Sequence, residues 1–387
     1  MRVPRLIVPF ALVALAACDP SAHDTTQTPA PAAPVQPAPP RITASTLPEG
    51  RAIDAAQFAD PANPAAKTSS TGQTPAEQKL AVNGQAAGVD QSAEAQKRRV
   101  LIKAQVLLDR AQFGPGVIDG KDGENFGLAL AAYEKAHGMT SDGKLDARVW
   151  QALTKDARPV MQDYVITKDD VDGPFVDKIP DDYKALAKMD ALSYTSPREL
   201  LAEKFHMDED LLKRLNPDAD FSKAGTKILV TAPVRSPLPQ VKRIEVDKKA
   251  KALRAYDASN QLVAVFPTTV GSSDMPSPTG TWKVLAVAHD PTWNYDPSKL
   301  NFGDKSLGKL TIPAGPNNPV GLVWIDLSKD TYGIHGTAEP ATIGKVSSHG
   351  CVRLTNWDAL ALADAVQKGV EVAFVSSGGA AGARSAT

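Results

Sequence analysis

Six short, Val-rich segments after Val241 limit this fold more than any other feature. "RIEVD", "LVAVFPTTVG", "TWKVLAVA", "LVWIDL", "YGIHG" and "VEVAFV" are each long enough for one strand and are bounded by Gly, Pro or Asp. A single helical pattern interrupts them, with Asn356 as its expected cap, Leu360, Ala363 and Val366 on one face and Gly369 at its end. Strands this short bury their apolar faces only by pairing. The spacing therefore predicts a mainly β domain over 241–376 with one flanking helix.

Composition matters most at the other end. Eleven of the 31 prolines fall between residues 20 and 75, in a stretch rich in Ala, Thr, Ser and Gln. Such a segment buries too little apolar surface to offset its ordering entropy, so residues 18–96 are expected to form a disordered tether. Ahead of it, Arg2 and Arg5 precede an apolar run over residues 6–17 and then Cys18. Charge, length and small residues predict an export signal over 1–17, too short to span a bilayer in the mature chain. The formal net charge of −1 gives no basic face for nucleic acid.

Between tether and β domain the pattern is helical. Val100, Leu101, Ala104, Leu107 and Leu108 make one apolar face, Phe126, Leu130 and Tyr133 a second, and Val149, Trp150 and Leu153 a third. Turn signals separate them, and Asp146 can cap the last, so a three-helix unit is expected over 97–158. Residues 190–232 predict two short helices, an Asn-Pro turn and a strand.

Cys18 and Cys351 are the two cysteines. "LAAC" resembles the lipobox of bacterial lipoproteins, which implies lipid on Cys18 and leaves Cys351 without a partner. An unpaired thiol in an oxidising compartment is either well buried or used. At its ordinary pKa it is only about 3% thiolate at pH 7, so a working nucleophile needs a base or a positive neighbour. His335, at the end of "YGIH", is a fitting base. Gly350 permits a tight turn, and the amides of Gly350 and Cys351 are candidate oxyanion donors. In an extended segment Arg353 shares a face with Cys351 and suits a carboxylate. His349 is expected to point away from Cys351, and it and Ser348 to hold the loop. Tyr332 and Trp293 are further candidate substrate contacts. Trp282 and Trp324 are expected in the core, and His137, His206 and His289 on the surface or in packing. A zinc site built from His335, His349 and Cys351 would be a different chemistry.

The run from His335 to Ser348-His349-Gly350-Cys351 and Arg353 resembles the signature of the L,D-transpeptidase (YkuD-like) catalytic domain. The similarity extends through "SPTGTWKV", "DPTWNYDP" and "GPNNPVGLVWIDL". It implies Cys351 as nucleophile, His335 as base and the carbonyl of Gly336 as the group orienting the ring, with no metal or organic cofactor. The implied reaction attacks the third residue of a peptidoglycan tetrapeptide stem, releases D-alanine and passes the acyl group to an amine of a second stem. An L,D-carboxypeptidase or a protein-attaching enzyme of the same fold, or a non-catalytic wall-binding lipoprotein, are the alternatives. Residues 97–158 resemble the small peptidoglycan-binding domain, with Tyr133-Glu134 where Phe-Gln is usual. Residues 190–232 are similar to a LysM repeat, with Ser196-Pro197 in place of Gly-Asp. Together these imply an exported, periplasmic, membrane-anchored lipoprotein whose partners are peptidoglycan stem peptides and glycan.

Overall fold

A computed structural model describes residues 42–59, 89–300 and 303–376. The expected export signal, Cys18 and most of the expected tether lie outside the described residues.

Helix α1 spans Pro48–Asp54, α2 Ala93–Arg110, α3 Glu124–Ala136 and α4 Ala147–Leu153. The last three form the expected unit, with Leu101, Leu108, Phe126, Leu130 and Trp150 buried together. Asp146 caps α4 as its position suggested, accepting from the Val149 N–H at 2.8 Å. Glu134, in the Tyr133-Glu134 pair, is buried and accepts from the N–H groups of Asp142 and Gly143 at 3.0 and 2.9 Å, which closes the turn between α3 and α4.

Helix α1 corrects the expected tether, because residues 42–59 are ordered against the helical unit. Ile53 is fully buried. Glu49 takes both arms of Arg99 at 2.8 and 2.9 Å, and Asp54 accepts from the Val160 and Met161 N–H groups at 2.7 and 3.1 Å. Averaging composition over 18–96 hid a local helix signal, a Pro at the first turn with Glu behind it.

The next module begins earlier than residue 190. Strand β1 (Met161–Val165) pairs antiparallel with β2 (Lys227–Thr231), with Met161 opposite Thr231. Between them lie α5 (Lys168–Asp172), α6 (Tyr183–Leu186), α7 (Pro197–Lys204) and α8 (Glu209–Leu215). The expected helices and strand are present, but the partner strand lies outside 190–232. Its pairing is non-local, and five residues of mixed polarity carry little signal alone. This module also shares one continuous core with the helical unit, Leu201 and Leu229 packing in the cluster that holds Leu108 and Phe126.

The β domain holds β3 (Arg243–Asp247), β4 (Ala252–Tyr256), β5 (Leu262–Pro267), β6 (Gly280–His289), β7 (Trp293–Tyr295), β8 (Leu310–Ile312), β9 (Val323–Leu327), β10 (Gly333–His335), β11 (Val352–Arg353), α9 (Asn356–Ala365) and β12 (Glu371–Val375). Eight strands order as β11-β10-β9-β6-β12-β3-β4-β5, while β7 and β8 form a separate hairpin. The chain beyond β5 then meets β11, with Thr269 and Arg353 exchanging N–H to O bonds at 3.0 and 2.9 Å. The two outer strands of the sheet thus touch, and the sheet curls around a core of Val246, Leu253, Phe266, Ile325, Ile334 and Leu362. Thr355, not Asn356, caps α9, accepting from the Asp358 N–H at 3.2 Å. The helix ends at Ala365, and Gly369 turns the chain towards β12 at φ +94°.

The stretch between α5 and α7 leaves its own module and lies on the β domain. Leu192 donates to the Ala314 carbonyl at 2.8 Å and accepts from the Asn317 N–H at 2.9 Å. Leu186 and Leu192 pack with Tyr295 of β7 and Ile312 of β8 in a small core of their own.

Candidate active site

Parallel pairing of β10 with β11 sets the site. Ile334 lies opposite Val352 and His335 opposite Arg353. The thiol of Cys351 precedes β11 and donates to the Thr331 carbonyl at 3.7 Å, with the Gly333 N–H beside it. Cys351, His335, Arg353 and His349 line one cavity of about 100 Å³, beside the β7–β8 hairpin.

His335 is buried, and its Nδ1 lies 2.7 Å from the Gly336 carbonyl. A carbonyl only accepts, so Nδ1 carries the proton and Nε2 is left to take another. The ring stacks on Trp324 at 5.5 Å. Burial, and then the charge of Arg353, push the imidazole down to about 3. Burial pushes the Cys351 thiol up, against the opposing pull of the Gly333 N–H and Arg353. At neutral pH the resting pair is therefore thiol and imidazole, both uncharged.

Gly350 holds the turn at φ +120°, and a Cβ there would meet Tyr332 at 2.8 Å. Its carbonyl accepts from Ser277 Oγ at 2.7 Å, while Ser348 Oγ donates to the Cys351 carbonyl at 2.6 Å. The loop is thus pinned from both sides. The Gly350 N–H donates to Ser348 Oγ at 3.1 Å, which corrects its expected place as an oxyanion donor. A donor already bonded inside the loop is not open to a substrate oxygen, so the Cys351 amide is the remaining candidate.

Residues 241–374 match the sequence profile of the L,D-transpeptidase catalytic domain. Residues 100–153 match that of the "Putative peptidoglycan binding domain". The chain is 31% identical over 178 residues to the "Putative L,D-transpeptidase YkuD" of Bacillus licheniformis, covering 46% of this chain and 92% of that protein. The chain belongs to the L,D-transpeptidase family. It is also 30% identical over 187 residues to the "Probable L,D-transpeptidase YbiS" of Escherichia coli K12, covering 47% of this chain and 60% of that one. A solved L,D-transpeptidase from Stackebrandtia nassauensis aligns with 72% of this chain and 92% of its own, at 15% identity and a TM-score of 0.27, too slight a likeness to carry weight.

In this transpeptidase chain the expected residues Cys351, His335, Arg353, Tyr332, Trp293, Ser348 and His349 all reach the same cavity. His349 does so against expectation. It lies two residues from Cys351, as Arg353 does, and a period of two puts all three on one side. Among the described residues Arg353 has no carboxylate partner, and its buried Nε has no hydrogen-bond partner. Trp324, expected in the core, is half-exposed and walls the cavity instead. His206 stacks on Trp357 at 4.8 Å, His137 bonds the Tyr133 carbonyl, and His289 is exposed, in keeping with packing and surface roles.

Tyr183 was not legible. It comes from α6, far from the motif in sequence, and reaches the cavity wall by packing edge-on to Trp293 at 5.3 Å. "DDYKAL" offers no signal for this, because the contact exists only through the excursion laid over the hairpin.

Proposed function

We propose that this protein is a peptidoglycan L,D-transpeptidase that forms bonds between third residues of neighbouring stems. The observation that carries the proposal is the Nδ1 bond of His335 to the Gly336 carbonyl, which leaves Nε2 to serve Cys351 in the same cavity. The sulfur of Cys351 attacks the carbonyl carbon of the third residue in a tetrapeptide stem, and His335 Nε2 takes the thiol proton. The tetrahedral oxygen meets the Cys351 N–H. As the C–N bond breaks, the imidazolium gives that proton to the departing D-alanine amine, and a thioester remains. An amine of an acceptor stem then attacks the thioester, His335 takes the proton from nitrogen, and the thiol is restored by receiving it. Arg353, with no carboxylate against it among the described residues, suits the terminal carboxylate of the donor stem.

The flanking modules fit a chain that works on the wall, and "LAAC" fits export and anchoring through lipid on Cys18. The test is incubation with defined disaccharide-tetrapeptides followed by mass analysis. Dimers joined between third residues, absent with Cys351→Ala, are expected. Tripeptide alone would assign the protein to trimming, and unchanged tetrapeptide would overturn the proposal.

A further inference from the structure

A short polar chain joins α7, outside the catalytic domain, to the strand end that carries His335. Its centre is Asn356, the first residue of α9. Asn356 Oδ1 accepts from two backbone N–H groups, Leu322 at 3.0 Å and Thr337 at 3.1 Å. Two donors at that atom fix which end of the amide is oxygen. Nδ2 therefore faces Glu203, at 3.0 and 3.2 Å from its two carboxylate oxygens, and the Pro316 carbonyl at 3.3 Å. Both donor and both acceptor capacities of the amide are used.

Thr337 directly follows Gly336, whose carbonyl holds Nδ1 of His335. A Cβ built on Gly336 would lie 2.1 Å from Asn356 Oδ1, so the amide packs against the very residue that orients the imidazole. Asn356 cannot rotate without releasing that loop, and Glu203 resists the rotation.

Glu203 is an unusual group to find in such a place. It is largely buried, accepts a further bond from the Tyr194 hydroxyl at 3.0 Å, and has no cation against it among the described residues. Its titratable neighbours are Tyr194 and Glu199, and burial pushes its carboxyl up to about 7. Burying a carboxyl with no cation is costly. The group it serves on the catalytic side is Asn356.

We propose that Glu203 is a positioning residue for the catalytic histidine. It holds Asn356 Nδ2, Asn356 Oδ1 holds the backbone beside Gly336, and the Gly336 carbonyl sets the tautomer and direction of His335. The proposal rests on the Cys351–His335 assignment above. It makes the neighbouring module part of the catalytic apparatus.

The test uses the full chain with Glu203→Met, which fills the space but cannot accept a hydrogen bond, and Glu203→Gln, which retains a carbonyl oxygen for Asn356 Nδ2. Stopped-flow acylation of Cys351 by a carbapenem separates maximal rate from half-saturation, and nitrogen-edited NMR follows the His335 Nδ1–H. Glu203→Met is expected to lower the maximal rate about tenfold or more, with half-saturation little changed and the Nδ1–H signal shifted or lost. Glu203→Gln is expected to restore both readouts to within about threefold of wild type. If Glu203→Met does not fold, Glu203→Ala takes its place. A folded variant without the acceptor that shows the wild-type rate and an unmoved Nδ1–H signal overturns the proposal. The signal reads positioning even if wild type forms no dimers, so failure of the transferase assignment stays distinguishable.

Discussion

His335→Ala is expected to slow acylation of Cys351 by about 10²–10⁴-fold, the usual loss when a positioned base is removed. Stopped-flow measurement with a carbapenem at neutral pH reads the effect. An unchanged rate would remove His335 as the base. The size follows from the charge state of the resting site. Burial lowers the imidazole to about 3 and raises the thiol, so neither is charged at pH 7 and sulfur gains no thiolate without proton transfer. The sign of the pH dependence follows as well. A depressed imidazole stays neutral through the physiological range, and a raised thiol ionises only on the alkaline side. Alkylation of Cys351 by iodoacetamide is therefore expected to climb with pH, with no plateau between about pH 4 and 8. A plateau would mean a preformed thiolate–imidazolium pair.

Arg235→Ala is expected to destabilise the protein by about 3–5 kcal/mol, among the largest effects a single change can have. Arg235 is nearly fully buried between Asp109 of α2 and Asp358 of α9, at 2.7 and 2.8 Å, and both carboxylates have no exposed side-chain surface. Burial alone would raise Asp109, but Arg235 and then His206 hold it below its ordinary value. Burial keeps Asp358 above its own despite Arg235. Removing the guanidinium leaves two carboxylates facing each other in the interior, at the point where helical unit, second module and catalytic domain meet. Urea unfolding, compared at unchanged slope, measures the loss. Wild-type stability in the variant would contradict the account. Replacing all three residues by apolar side chains of similar volume is expected to recover most of the loss.

What the sequence revealed and what it hid divide along sequence separation. Six of the strands after Val241, the cap at Asp146 and the cluster around Cys351 were legible because pattern and chemistry lie within a few residues of each other; β4, β7, β8 and β11 were not, being short or weakly patterned. The pairing of Met161 with Thr231 was not, since neither strand announces its partner. Tyr183 and Glu203 were missed for the same reason, since Tyr183 reaches the cavity and Glu203 reaches Asn356 only after separate modules fuse around shared contacts. Residues 42–59 were lost to averaging, because a seven-residue helix vanishes inside a long Pro-rich window. Asn356 was mistaken for a cap. A polar residue at a helix start normally caps, but Thr355 does so here and frees the Asn356 amide to hold the histidine loop. The expectation for His349 fails on its spacing, since an offset of two from Cys351, equal to that of Arg353, gives a shared face rather than opposite ones.

The most direct test of the central claim is the intact mass of the protein after brief mixing with a defined tetrapeptide stem and acid quench. An adduct equal to the stem less its terminal D-alanine is expected, mapped to Cys351 and absent from Cys351→Ala. An adduct of the same mass on the variant, or turnover of the stem with none on wild type, would contradict it.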